Sequence, residues 1–249
     1  MSVAISRPTA APQLVLAPGE DESIAAYESL ATEYDSPTHE TTRLLERASL
    51  IALERSGLQK TLGAGSPWVV ELGTGTGALT AGLLKAQRAG RVLISDPVPG
   101  MLRSAQTKLD PVRGGVSLEP LVASADKALM GLTSAPDLLV AGLCDPYLSA
   151  ELLLLAKQVS GPGTQTFVTV PGSAWATRER NLRLRLPVDQ TRFRLADGGT
   201  VHSRSMALGE GELVRLLEDC ELEPQRHGTV RLPSSRHRAA PEVVWCRAG

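Results

Sequence analysis

Hydrophobic positions change their spacing twice along the chain. From Ser23 to about Ser56 they recur at helical intervals: Ile24, Tyr27, Leu30 and Ala31, then Leu44, Leu45, Ala48, Ile51 and Ala52. The Ser36-Pro37-Thr38 break between the two sets predicts two helices rather than one. From Pro67 onward short apolar runs alternate with helical stretches. Residues 68–72, 92–95, 118–123, 137–142 and 164–170 read as five strands, with helices near 78–88, 98–108, 126–132 and 148–159 between them. After Val170 the regularity lapses until a helix over 209–221, and two strand-like runs follow at 227–232 and 242–246. The link between those two, 233–241, is too short for a helical crossover and predicts an antiparallel hairpin.

Strands alternating with helices at this spacing predict βαβ units, a parallel sheet and an α/β fold. Right-handed crossovers then gather the C-terminal ends of the parallel strands on one edge, where such sheets bind ligands. The chain divides accordingly. Residues 1–20, rich in Pro and Ala, form a loose arm, and 21–66 form an N-terminal helical lid. Residues 67–249 form one ligand-binding domain, with an insertion over 171–207 on the substrate side.

The densest chemical signal stands at the end of the first strand, Glu71-Leu-Gly73-Thr74-Gly75-Thr-Gly77-Ala78. Glycines there permit positive φ and close backbone approach to a ligand. Gly73, Gly75 and Ala78 also satisfy the dinucleotide pattern G-x-G-x-x-G/A, so the glycines alone leave two readings open. Glu71 separates them. A carboxylate beside the turn repels a pyrophosphate and suits a neutral or cationic ligand. Asp96 ends the second strand, where an acid accepts hydrogen bonds from ribose hydroxyls. Asp126, after the third strand, is placed to accept from an adenine amino group, or else to cap a helix. Three acids around one glycine turn describe a site for a nucleoside bearing positive charge.

Composition narrows the classes further. With 26 basic against 27 acidic residues the chain is no general polyanion binder. Three Trp, three Tyr and two Phe leave little for stacking bases, and make any aromatic outside the core a candidate for a binding site. No apolar run approaches the roughly 18–20 residues of a membrane span, and the first twenty residues do not read as a secretory signal. Cys144, Cys220 and Cys246 are odd in number and far apart, which points to free thiols in a cytoplasmic protein. The histidines and cysteines show no zinc spacing and no compact acid cluster suggests magnesium, so no metal is expected.

In these motifs the chain resembles the class I S-adenosylmethionine-dependent methyltransferases. The matching stretches are VVELGTGTG at 69–77, VLISDPVPGML at 92–102, LVASADKAL at 121–129, PDLLVAGL at 136–143 and GPGTQTFVTVPG at 161–172, in the family's order and spacing. The resemblance implies a Rossmann-like, seven-stranded, mostly parallel sheet with an antiparallel last strand and helices on both faces. It implies S-adenosyl-L-methionine as cofactor. Gly73, Thr74, Gly75 and Gly77 would line its methionine and ribose portions, with Glu71 near the amino-acid end and Asp96 on the ribose hydroxyls. Ala125 and Asp126 would edge the adenine, and Pro97, Val98 and Met101 would be its apolar neighbours. Tyr34, beside Asp35 at the helix break, would close over the cofactor.

Methyl transfer demands an in-line nucleophile and exclusion of water, and a base only where the nucleophile must lose a proton. His202, Tyr147 and Asp145 are the candidate catalytic residues: the first lies in the insertion, the others follow the fourth strand. Tyr147, Trp175, Phe193 and His202 are candidates for the acceptor pocket. Tyr27 and Tyr34 join the list of aromatics outside predicted strands, whereas Trp68, Phe167 and Trp245 fall inside strands and are assigned to the core. His39 reads as a solvated helix residue, and His227 and His237 as surface or structural. The insertion also carries Arg178, Arg180, Arg183, Arg185, Arg192 and Arg194 against Glu179 and Asp189. That run is either a solvated helix face or a site for an anionic acceptor or RNA backbone.

The leading expectation is therefore a methyltransferase acting on an O, N or C nucleophile of a small molecule such as a specialised metabolite, as a monomer or homodimer. An RNA or protein methyltransferase docking through the arginine run is the second reading. Against it, Leu143-Cys-Asp-Pro-Tyr147 stands where amino-group methyltransferases often carry Asn-Pro-Pro-aromatic. A non-catalytic protein that keeps the cofactor fold, and a nicotinamide-dependent dehydrogenase, are the remaining alternatives.

Overall fold

A computed structural model describes residues 19–58, 62, 66–86, 89–144, 146–234 and 239–249. The expected N-terminal arm therefore lies almost wholly outside the described residues, as do Asp145 and His237.

Seven strands form the main sheet. In chain order they are β1 (Trp68–Leu72), β2 (Arg91–Asp96), β3 (Ser117–Val122), β4 (Leu138–Gly142), β5 (Gln165–Pro171), β8 (Pro224–Arg231) and β9 (Glu242–Ala248). Their spatial order is β3-β2-β1-β4-β5-β9-β8. The pairs among β1 to β5 are parallel, and β9 inserts antiparallel between β5 and β8. Strand order reverses between β1 and β4, so the crevice beyond their C-terminal ends is the natural ligand site.

The central strands are apolar at nearly every position because both faces are covered. Neighbouring residues of one strand serve opposite layers. Val69, Val140 and Phe167 pack with Ala48, Ala52, Leu83, Ala105 and Leu109 from α2 (Glu40–Arg55), α3 (Ala78–Lys85) and α4 (Pro99–Leu109). Val70, Leu139 and Val168 pack with Leu129, Leu152, Leu153, Leu213 and Leu217 from α5 (Ala125–Met130), α6 (Ala150–Val159) and α8 (Glu210–Asp219). Trp68, expected in the core, is half-buried under the Arg91 guanidinium, 4.6 Å from its ring centroid.

Two expectations change. The N-terminal helices do not act together as a lid. α2 buries Leu45, Ala48, Ser49, Ala52 and Leu53, and Ser49 Oγ lies 3.1 Å from Thr169 Oγ1 on β5, so it belongs to the sheet's own helical layer. Only α1 (Glu20–Leu30) lies away from the sheet, on α4 and on a hairpin of the insertion. That hairpin is the second change. The insertion is not irregular: after a short helix, α7 (Ser173–Ala176), and π-helical turns over Thr177–Arg183, it forms β6 (Gln190–Arg194) and β7 (Thr200–Arg204), a separate antiparallel pair.

α1 and the hairpin make a roof. Leu30, Ala31, Val98, Met101 and Phe193 form its buried centre, with Tyr27 and Tyr34 packed against them. Polar ties fix it at both ends. The Ala196 N–H donates to the Glu33 carboxylate, at 2.9 Å to Oε2, and the Arg204 N–H donates to Ser23 Oγ at 3.2 Å. On the other side Gly100 N–H donates to Glu28 Oε2 at 2.8 Å. Among the described residues no helix is long and apolar enough to cross a membrane.

Candidate active site

The glycine turn uses its own amides. Thr74 N–H donates to the Ser95 carbonyl (2.9 Å), Gly77 N–H to the Thr74 carbonyl (3.0 Å) and Gly75 N–H to Asp96 Oδ2 (2.8 Å). Asp96 Oδ1 accepts from Val98 N–H at 2.9 Å. One carboxylate thus holds the turn after β1 and the loop after β2 in fixed relation. A phosphate-cradling loop leaves such amides directed at its ligand; here Gly75 N–H is engaged by an acid and the Thr74 and Gly77 amides by backbone carbonyls.

Each glycine has its own reason. Gly77, at φ +81°, starts α3, and a Cβ there would meet Ala105 and Leu109 at 3.2 Å; it serves helix packing and does not line the cleft. A Cβ on Gly73 would stand 2.7 Å from Cys144 Sγ. Gly75, at φ +56°, would find nothing within 4 Å, because it faces open space over Asp96. That is a cradle a side chain would fill and a ligand can enter.

Asp96 is 6% exposed and lies on the cleft floor with Gly73, Gly75, Val98, Met101 and Cys144. Burial pushes its carboxyl up to about 6, against the two N–H bonds that hold it down. Glu71 is different from expectation. At 1% exposed it does not line the cleft but lies beneath the turn, accepting a hydrogen bond from Thr80 Oγ1. Burial pushes its carboxyl up to about 8, with Asp96 and Glu46 adding to the rise. Burial thus disfavours the charge expected to repel a pyrophosphate, while Asp96 occupies the Gly75 amide that a phosphate would use. Behind the turn Asp35 accepts from Thr76 Oγ1 (2.8 Å) and pairs with Lys108 Nζ (2.6 Å), so the α1–α2 connection is tied to the glycine loop.

Three spaces follow the sheet edge. The cleft over Asp96 is narrow, about 50 Å³, and roofed by Tyr27 and Tyr34. Pro146 and Tyr147 separate it from a cavity of about 530 Å³ edged by Ala125, Asp126 and Arg204. On its other side, through Tyr27, Tyr34 and Leu143, it meets a cavity of about 680 Å³. Trp175, Phe193, His39, Arg180 and Glu179 stand in that third wall. Tyr27, Tyr34 and Tyr147, which edge the cleft over Asp96, are all only half-buried.

Of the residues read from sequence, the structure brings together Gly73, Gly75, Asp96, Met101 and Tyr34 on the cleft, and Ala125 and Asp126 on its outer neighbour. Thr74 is buried, and neither Thr74, Gly77 nor Pro97 lines the cleft. Tyr147 lines the cleft and the outer cavity; Trp175 and Phe193 line the largest one. His202 is brought to none of the three: it pairs with Arg192 across the hairpin and lines none of their walls. The arginine run is not one face. Arg180 is 4% exposed, donating to the Val188 and Ser205 carbonyls and to Ser205 Oγ at 2.6–2.8 Å, and Arg183 pairs with Glu179.

Leu143, His39 and Glu179 are among the wall residues that escaped the sequence reading. Leu143 lines both the cleft and the large cavity at φ +54°, a conformation costly for a branched side chain and held by two bonds from its N–H to Thr169. Its signal was its place directly after β4 on the ligand edge. His39 meets Phe193, distant in the chain, in the cavity wall, and Glu179 stands there paired with Arg183. Among the described residues no cluster of His, Cys, Asp and Glu is arranged to hold a metal.

The sheet order, the glycine turn after β1 and the acid closing β2 together make this the S-adenosylmethionine-dependent methyltransferase fold of class I. Solved structures of that kind superpose along nearly the whole chain. Magnesium protoporphyrin IX methyltransferase (ChlM) from Synechocystis, solved with S-adenosylhomocysteine, matches at TM-score 0.63 and 13% identity, covering 91% of this chain and 96% of its own. The DhpI–S-adenosylhomocysteine complex matches at TM-score 0.59 and 17% identity, covering 92% and 96%. The glycopeptide N-methyltransferase MtfA matches at 0.54 and 19%, covering 83% and 90%. No protein-family model and no curated protein matches the chain.

Proposed function

We propose that the protein is an S-adenosylmethionine-dependent methyltransferase whose acceptor is a small molecule held in the 680 Å³ cavity. The observation that carries this reading is the junction of that cavity with the cleft over Asp96, through Tyr27, Tyr34 and Leu143. Asp96 would hold the ribose hydroxyls, Gly73 and Gly75 would leave room for the cofactor's backbone approach, and Val98 and Met101 would flank the base. When bound, the cofactor supplies a methyl group activated on a sulfonium. Everything else falls to the chain: the roof of α1 and the β6–β7 hairpin excludes water, and the aromatic walls orient the acceptor in line with the cleft. The two named acceptors among the similar structures, magnesium protoporphyrin IX and a glycopeptide, agree with a low-molecular-weight substrate.

Docking of RNA or protein through the arginine run has less support, since Arg180 and Arg183 are committed within the cavity wall. Calorimetric titration with S-adenosylmethionine, S-adenosylhomocysteine and NAD in parallel tests the reading. Binding of the first two without NAD is expected; tight NAD binding alone would overturn it. In the same assay Asp96→Asn is expected to weaken S-adenosylhomocysteine binding at least tenfold, about 1.4 kcal/mol. Unchanged affinity would show that Asp96 does not hold the ribose.

A further inference from the structure

Four of the chain's eight aromatic residues (three Trp, three Tyr and two Phe in all) stand in the wall of one cavity: Tyr27, Tyr34, Trp175 and Phe193. Walls of this kind hold a flat ring by area and by edge-to-face contact. His39 is set among them. Its ring lies edge-on to Phe193, centroids 6.0 Å apart at 72°, and Phe193 in turn touches Tyr27 and Tyr34 at 5.7 and 6.3 Å, the two residues shared with the cleft. The imidazole is therefore one aromatic ring removed from the junction where transfer would occur.

The local sequence holds His39 there. Pro37–His39 is a single 3₁₀ turn begun by Ser36, whose Oγ accepts from Thr38 N–H, and His39 N–H donates to the Ser36 carbonyl at 3.0 Å. The side chain is 8% exposed. Its Nε2 is sealed from solvent and has no hydrogen-bond partner. No bond is made by the other ring nitrogen among the described residues, which leaves Nδ1 for the cavity the ring lines. A neutral imidazole carries its proton on one nitrogen and a lone pair on the other. With the proton kept on the sealed Nε2, Nδ1 is a base.

A base is useful here for a limited set of nucleophiles. Carboxylates and phosphates attack as anions already, and an amine sheds its proton after attack. A hydroxyl must lose its proton as the new bond forms. We propose, on the footing of the methyltransferase reading above, that the acceptor is a phenol and that His39 takes its proton. The O–H bond breaks with the proton passing to His39 Nδ1. The oxygen's electron pair forms the C–O bond, and the C–S bond breaks with its pair kept on sulfur. The imidazolium then returns the proton to solvent.

Phenol and toluene, alike in shape and different in the hydroxyl, test this in the protein saturated with S-adenosylhomocysteine. With ¹⁵N-labelled histidine only four side chains report, and the His39 signals are assigned by their loss in His39→Leu. Phenol is expected to shift the His39 ring nitrogens and toluene to leave them in place. His39→Leu is expected to weaken phenol about fivefold, the worth of one net hydrogen bond, without weakening toluene. His39→Gln, which keeps an acceptor oxygen, is expected to restore part of the phenol affinity, and stands in for the Leu variant should that fail to fold. Phenol shifting His202 or His227 instead, or losing no affinity in both variants, would overturn the proposal. Failure of S-adenosylhomocysteine to bind the wild-type protein would overturn the methyltransferase reading itself, a result read separately in the same sample.

Discussion

Gly75→Ala is expected to lower S-adenosylhomocysteine affinity about a hundredfold, near 2.7 kcal/mol, while costing the fold little. The added methyl would meet no protein atom within 4 Å, so nothing in the empty cleft resists it. The left-handed φ of +56° costs an alanine about 1 kcal/mol, which in a chain of this length moves the melting temperature by roughly 2–4 °C. The affinity loss has two sources. The methyl occupies the surface over Asp96 that a ribose would approach, and any relaxation of φ disturbs the Gly75 N–H bond to Asp96 Oδ2. Gly77→Ala is the control with the opposite profile. Its methyl would press on Ala105 and Leu109, so melting should fall more and the affinity of the folded fraction should change less. Calorimetry and thermal melts on both variants decide the matter. Equal affinity losses, or full affinity in Gly75→Ala, would show that the cleft over Asp96 is not the cofactor site.

The contrast between these glycines shows what was legible in the sequence. Parallel strands buried on both faces read as unbroken apolar runs, so Val69–Val70, Leu138–Val140 and Phe167–Val168 announced the sheet without ambiguity. The glycine pattern announced a turn but not which glycine faces a ligand, because that depends on α4 packing behind Gly77 and Cys144 behind Gly73. The β6–β7 hairpin was missed for a physical reason. Gln190–Arg194 is dominated by polar side chains, and the pair packs chiefly on α1 rather than within a sheet. Its signal was the Asp197-Gly198-Gly199 turn between two short alternating stretches, with Gly198 at φ +89°. His39 was read as solvated because helical spacing ranks only local neighbours; the residue that buries it, Phe193, is supplied by that same hairpin. Errors at the two places thus have one cause. The cavity is built from contacts between the N-terminal helices and the insertion, and no periodicity within either segment records them.

The stability of the ligand-free protein is expected to fall as pH rises from about 4.5 to 8, and Glu71→Gln is expected to remove the largest single share of that fall. Burial raises the folded-state pKa of Glu71 to about 8 from an ordinary carboxyl near 4.5, and that of Glu46 and Asp96 to about 7 and 6. Between the unfolded and folded values the native state keeps a proton that the unfolded state has released. Unfolding is therefore favoured as pH increases across that window, and the loss is complete once pH passes the folded value. A displacement of this size at a fully buried group is worth on the order of a few kcal/mol. The substituted amide would keep an oxygen for Thr80 Oγ1 and carry no charge to desolvate. The variant should match the wild type at about pH 5 and melt well above it at about pH 8.5, with the residual slope confined to the range of Asp96 and Glu46. The cofactor enters the same linkage with the opposite sign, since a cation over Asp96 favours the ionised acids beneath the turn. S-adenosylmethionine should then bind more tightly at about pH 8 than at about pH 6 with release of protons, and Glu71→Gln should flatten that dependence. Parallel melting curves for the two proteins across this range would mean that Glu71 is ionised in the fold, and that the turn is balanced by a charge rather than by a proton.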